Sequence, residues 1–245
     1  MTLKQKDAKI KIYHKIQIPK KDLHRKGTNM TQKNISNYEK WCEHWRQKFL
    51  QTDLTDLKIR IPELKDHGEQ LSIFHFGKQY YISKKTGVIT ESGSETPVPT
   101  FIRLNIYTLF EYAKPHTYFF NQWVPFEQLK GARPFAPAFQ KHCIETFAAI
   151  FSGHLKELEN AFLNLGGTKL PYSDMGYQIH AFSCIPVQFL FWDKDEEFPA
   201  QANILFDKSA VNFIHVESIV TISSIGIQRL CEESGVTLSK ASFLV

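Results

Sequence analysis

Apolar positions recur at helical spacing between Ser36 and Leu50, where Tyr38, Trp41, Cys42, Trp45 and Phe49 form one stripe and Ser36 is a candidate N-cap. The period then drops to two. Leu71–Phe76 turns at Gly77-Lys78 into Gln79–Ser83, and Lys84-Lys-Thr-Gly87 leads on to Val88–Thr90, which together predict a three-stranded meander. Glu91–Pro99, rich in Ser, Gly and Pro, reads as a loop before a helix over Pro99–Ala113 that Lys114-Pro115 ends. Pro137–Leu165 carries a long helical pattern with a break at Ser152-Gly153 and a stop at Gly166-Gly167. Strands are predicted over Tyr177–Phe182, Val187–Trp192 and Asn203–Phe206. Val216–Glu233 has a helical stripe whose β-branched content leaves part of it open to an extended form.

Runs of strands and helices in this order predict an α+β single domain: a mainly antiparallel sheet (meander about 71–90, strands about 177–206) packed by several helices. The globular domain is assigned to residues 34–237 and a tail to 238–245. With 245 residues, 42% of them hydrophobic and 20 of them Phe, the chain has ample material for a core.

Charge divides the chain unevenly. Residues 1–33 carry ten Lys/Arg against two Asp/Glu, so the overall +5 is a +8 segment joined to a body of net −3. This pattern predicts a basic, flexible N-terminal arm. It argues against a nucleic-acid groove in the body and leaves nucleic-acid contact only to the arm. Lys9–Ile18 alternates and could form an edge strand. Residues 1–29 could equally be an upstream extension ahead of Met30. No stretch is apolar for the length of a membrane span, the start lacks a signal-peptide run, and Cys42, Cys143, Cys184 and Cys231 are widely spaced inside apolar segments, as reduced buried thiols are. The expected location is the cytoplasm.

Candidate chemistry gathers at one turn. The strand Ile185–Trp192 is apolar on nearly both faces, as in a covered central strand. It runs into Phe191-Trp-Asp-Lys-Asp-Glu-Glu-Phe-Pro199, where Asp193, Asp195, Glu196 and Glu197 must be compensated by a cation, by donors or by water. Hard divalent cations favour such oxygen sets, and Asp207 is a further possible ligand, but neither the glycine nor the closing Glu of a calcium loop is present. Arg133, ahead of a helix start at Pro137, could bind an anionic ligand or neutralise the acidic turn. Phe135, Trp192 and Asp174 complete the candidate ligand-binding set. His75, His142, His154, His180 and His215 fall on different elements without metal-ligand spacing, and Cys143 next to His142 is no catalytic dyad.

Leu165-Gly-Gly167, Asp174, Ile185-Pro-Val187, the acidic turn through Ala200, Ile204-Leu-Phe-Asp-x-Ser-Ala210 and Glu217 together resemble the bacterial and archaeal domain-of-unknown-function family 3786. Phe76-Gly-Lys-x-Tyr-x-Ile82, Gly87-Val88 and Phe135-x-x-x-Phe139 fit the same pattern, so the resemblance covers about residues 34–232. It implies no established activity. Some relatives carry a cysteine-rich iron–sulfur segment ahead of this domain, which suggests an accessory part in anaerobic redox or one-carbon metabolism. This chain has no upstream cysteine cluster, so no iron–sulfur cluster is expected. Two readings follow. One is a cytosolic accessory module binding an unknown small molecule or protein; the other is a metal-assisted enzyme using the acidic turn at 193–197.

Overall fold

The computed structural model describes residues 30–237, with side chains from residue 37. The candidate edge strand 9–18, the basic arm short of residue 30 and the tail 238–245 lie outside the described residues. The compact unit considered below begins at Tyr38.

Helix α1, Met30–Phe49, starts six residues ahead of Ser36, which lies within it and is not its cap. The predicted stripe is buried at Cys42, Trp45 and Phe49. Asp53 accepts from Thr55 N (2.8 Å) and caps α2, Leu54–Arg60, an element without a readable stripe because only Leu57 is buried. The Arg60 guanidinium then donates to the carbonyls of Phe110 (2.7 Å) and Ala113 (3.0 Å), closing the C-terminal end of α3, Thr100–Tyr112.

The first sheet is antiparallel in the order β1 (Lys65–Asp66), β2 (Gln70–His75), β3 (Lys78–Ser83), β4 (Ile89–Glu91). Its inner face pairs Leu71 with Ile82 and Ile73 with Tyr80, all buried. The tight turn falls at Phe76-Gly77, both at positive φ (46° and 77°), one residue earlier than the alternation predicts. Phe76 accepts this uncommon backbone because its ring is buried and its N–H donates to Ala181 O of the second sheet at 3.0 Å.

The second sheet is also antiparallel, in the order β5 (Trp123–Pro125), β9 (Gln201–Asp207), β8 (Ile185–Trp192), β7 (Met175–Phe182), β6 (Thr168–Lys169). β8 is central and buried on both faces until Trp192, as its unbroken apolar run predicts. The β7–β8 turn is held from outside by Glu63, whose carboxylate accepts from Ser183 N (2.8 Å) and Cys184 N (3.0 Å).

The long helical pattern resolves into α4 and α5. α4 runs from Ala136–Phe139 through a π-helical turn, Gln140–Ile144, into Glu145–Phe151; Gly153 (φ +80°) breaks the chain and α5 is Leu155–Asn164. Phe147 meets Phe189 and Phe191 edge-on, and Phe162 stacks on Tyr177 at 4.8 Å, so both helices cover one face of the second sheet. α6, Val216–Ser234, is helical throughout and ends at left-handed Gly235. Its β-branched residues do not unwind it, because burial of Ile219, Ile222, Ile225 and Ile227 outweighs a propensity cost of a few tenths of a kcal/mol each.

Gly226 lies where α6 crosses the rings of both sheets: a Cβ there would come within 2.8 Å of Phe189 and 3.0 Å of Phe76. Gly226→Ala is therefore expected to destabilise by about 1–2 kcal/mol despite the roughly 1 kcal/mol that alanine gains in a helix. A urea melt checks this. A stabilised variant would mean that the two rings can yield.

Candidate functional site

The acidic hairpin is built largely from its own backbone. Asp174 Oδ2 accepts from Asp193 N (2.9 Å), and Asp193 Oδ1 accepts from Gly153 N and Lys194 N, both at 2.8 Å, which ties the hairpin to the break between α4 and α5. Asp195 Oδ1 accepts from Glu197 N (2.8 Å) and Phe198 N (2.7 Å), closing an Asx turn. The N–H groups of Phe198 and Glu197 hold the Asp195 carboxyl below its ordinary value. Glu196, Glu197 and Phe198 are exposed, as is Trp192 (38%). Among the described residues, Glu196 and Glu197 form no ion pair.

Asp174 and Asp193 thus come together, with Asp195 two residues on, whereas Asp207 does not join them. It ends β9, while the acidic hairpin enters that strand at Gln201, about 20 Å away at the rise of an extended strand. There Asp207 is buried and accepts from Phe120 N (3.0 Å), Gln122 N (3.1 Å) and Ser209 N (2.8 Å). Burial raises its carboxyl and these donors more than offset that, leaving it below the ordinary value. Arg133 is exposed in a 3₁₀ turn, Arg133–Phe135, that runs directly into α4, and Phe135 is half-buried. No ion pair joins Arg133 to the hairpin among the described residues. Among those residues, no three His, Cys, Asp or Glu side chains gather as metal ligands would.

Between α4 and the start of β9 lies a groove of about 510 Å³. One wall is the α4 side that carries Gln140, Ile144, Glu145, Ala148, Ala149 and Ser152; the other is Pro199–Ala202, where the acidic hairpin becomes β9. The π turn forms the upper part of the helical wall. Such wide turns recur at functional sites. Sequence periodicity does not reveal the groove, since its walls, Gln140–Ser152 and Pro199–Ala202, are remote in sequence and its small residues carry no chemical signature.

A second polar cluster lies inside the fold and was not legible as a unit. His75, fully buried on β2, donates from Nδ1 to Ala181 O (2.8 Å), so Nε2 is the acceptor for Asn105 Nδ2 (3.3 Å). Asn105 Oδ1 accepts from Thr221 Oγ1 of α6 at 2.5 Å. The chain of bonds therefore runs from β7 through β2 and α3 to α6. Nearby, Thr108 Oγ1 meets Ser218 Oγ at 3.1 Å. Burial lowers His75 to about 4, with Ala181 opposing and the Arg229 charge adding to the shift.

Glu217, in the first turn of α6, is pushed up to about 7 by burial. The folded protein consequently binds the extra proton between about 4.5 and 7, and stability is lost as pH rises through that window. Glu217→Gln is expected to be more stable than the parent by about 3 kcal/mol at pH 8 and equal to it near pH 4. Urea melts at the two pH values read this out, and a pH-independent difference would refute it.

Burial likewise lifts the Cys42 thiol to about 12 and Cys143 and Cys231 to about 11. All four cysteines are free.

Two antiparallel sheets of four and five strands, bridged at His75 and Phe76 and flanked by helices, define an α+β domain with a lateral groove beside an acidic hairpin. A family model for a domain of unknown function (DUF3786) matches residues 56–229, and the chain belongs to that family. Neither a curated protein nor a solved structure matches it. No helix among the described residues is long and apolar enough to cross a membrane.

Proposed function

We propose that this protein is an accessory binding module whose ligand enters the groove between α4 and Pro199–Ala202. The observation that carries the reading is the groove itself: it lies against the acidic hairpin and is walled by a π turn and by small side chains that leave room for a guest. The hydrogen bonds of Asp174, Asp193 and Asp195 to backbone N–H groups support a hairpin shaped to hold this wall. A cation-assisted enzyme would need Asp193, Asp195 and Glu196 to converge with Asp207 or Asp174; the length of β9 separates the first three from Asp207, while Asp174, Asp193 and Asp195 each accept backbone N–H groups.

Ala149 is exposed on the groove wall, so Ala149→Trp fills the groove and leaves the core untouched. Ligand-observed NMR with a library of small molecules and short peptides should find binders to the full chain that Ala149→Trp loses. Binders that survive the substitution, or none at all, would overturn the reading.

A further inference from the structure

Resting on the groove assignment, we infer that the guest is an extended, lysine- or arginine-bearing peptide segment of a partner protein, added as a strand to the open edge of β9. β5 pairs with β9 only at Leu205, Phe206 and Asp207, so Gln201–Ile204 has no strand on that side. Lys208 N donates to Gln122 O on the β5 side, and in an antiparallel strand the backbone groups of every second residue share a side. Phe206, Ile204 and Ala202 therefore direct their N–H and C=O groups towards β5 or the edge beyond it. Asn203 Oδ1 takes the Ile204 N–H at 2.8 Å, a local plug of the kind that protects exposed edges. Ala202 lines the groove together with Ala148, Ala149 and Ala200, which are short enough to let another main chain approach.

Length and charge agree with this occupant. The helical wall from Gln140 to Ser152 spans about 18 Å, the reach of about five extended residues. Glu145 on that wall and Glu196 and Glu197 on the hairpin are exposed and form no ion pair among the described residues. Lys194 lies beside Gly153 and offsets only part of this charge. Strand addition takes affinity from main-chain bonds and specificity from side-chain surroundings, which here are acidic.

The test uses the full chain and three labelled octapeptides in a fluorescence anisotropy titration: alternating Lys-Val, alternating Glu-Val, and the Lys-Val peptide N-methylated at every second residue. The Lys-Val peptide should bind at least tenfold more tightly than either of the others. Ala149→Trp should weaken it at least tenfold, and the Glu196→Gln, Glu197→Gln double variant about fivefold, with melting temperatures unchanged. Equal binding of the basic and acidic peptides, indifference to N-methylation, or indifference to Ala149→Trp would overturn the inference. If small molecules bind the groove and are lost in Ala149→Trp while the Lys-Val peptide does not bind, the groove assignment stands and the peptide inference falls; if neither binds, both fall.

Discussion

Asp207→Ala is expected to cost about 3–5 kcal/mol, because it leaves three backbone N–H groups without their acceptor and removes a charged carboxylate whose bonds are each worth about 1.5–3 kcal/mol. Asp207 is only 2% exposed, so water cannot readily replace it. Two of the three donors, Phe120 and Gln122, belong to the aromatic loop that leads into β5, and the third, Ser209, lies in the 3₁₀ turn Lys208–Asn212 after β9. Loss of the carboxylate should therefore release β5 as well as lower global stability. At this chain length the expected fall in melting temperature is roughly 8–15 °C. Asp207→Asn keeps one oxygen and should cost clearly less, about 1–2 kcal/mol. Hydrogen exchange separates this role from a cation-binding one: fast exchange at Phe120, Gln122, Trp123 and Val124 in Asp207→Ala follows from lost backbone bonds. Intact protection there would show that the loop does not depend on the carboxylate.

His75→Phe should keep the ring stacked on Phe182, now 4.4 Å away, but leave Asn105 Nδ2 without a partner and Ala181 O with only the Phe76 N–H. The orphaned amide costs about 1–3 kcal/mol and the lost second bond to Ala181 O about 1 kcal/mol, so a loss of about 2–4 kcal/mol is expected at pH 7.5. The pH dependence carries a second, independent signature. His75 falls to about 4 in the folded chain from an ordinary 6.5, so the unfolded chain binds more protons between those values. The parent must therefore lose stability as pH falls from 6.5 towards 4, by about 1.4 kcal/mol per pH unit from this residue. His75→Phe lacks that contribution, and its deficit against the parent should shrink by about 2 kcal/mol between pH 7.5 and pH 5. Comparing variant with parent cancels the opposite trend of Glu217, which acts in an overlapping window. A constant deficit across this range would show that His75 is not buried as a neutral imidazole.

Local pattern carried much of this architecture. The stripe of α1, the meander, the helix after Pro99, the break at Ser152-Gly153, the stop at Gly166-Gly167 and the covered strand Ile185–Trp192 each rest on periodicity or on a backbone preference confined to neighbouring residues. The elements that escaped are short: α2 buries only Leu57, β1 and β6 have two residues each, and β5 has three. So few residues complete no period. Their stability comes from neighbours remote in sequence, such as β9 for β5.

The same division holds for the candidate site. Sequence alone determined that four carboxylates crowd one turn after an apolar strand. Only tertiary structure decided what those carboxylates touch. Gly153 meets Asp193 across 40 residues and Asp174 meets it across 19, so the turn's chief partners are backbone N–H groups, which every residue but proline possesses and no motif records. Asp207 illustrates the converse: close to the acidic hairpin in sequence, it is carried to the far end of β9 by the extended geometry of one strand. The groove and the His75–Asn105–Thr221 relay arise where separate elements meet, and a linear pattern holds no information about distances between them until the chain has packed.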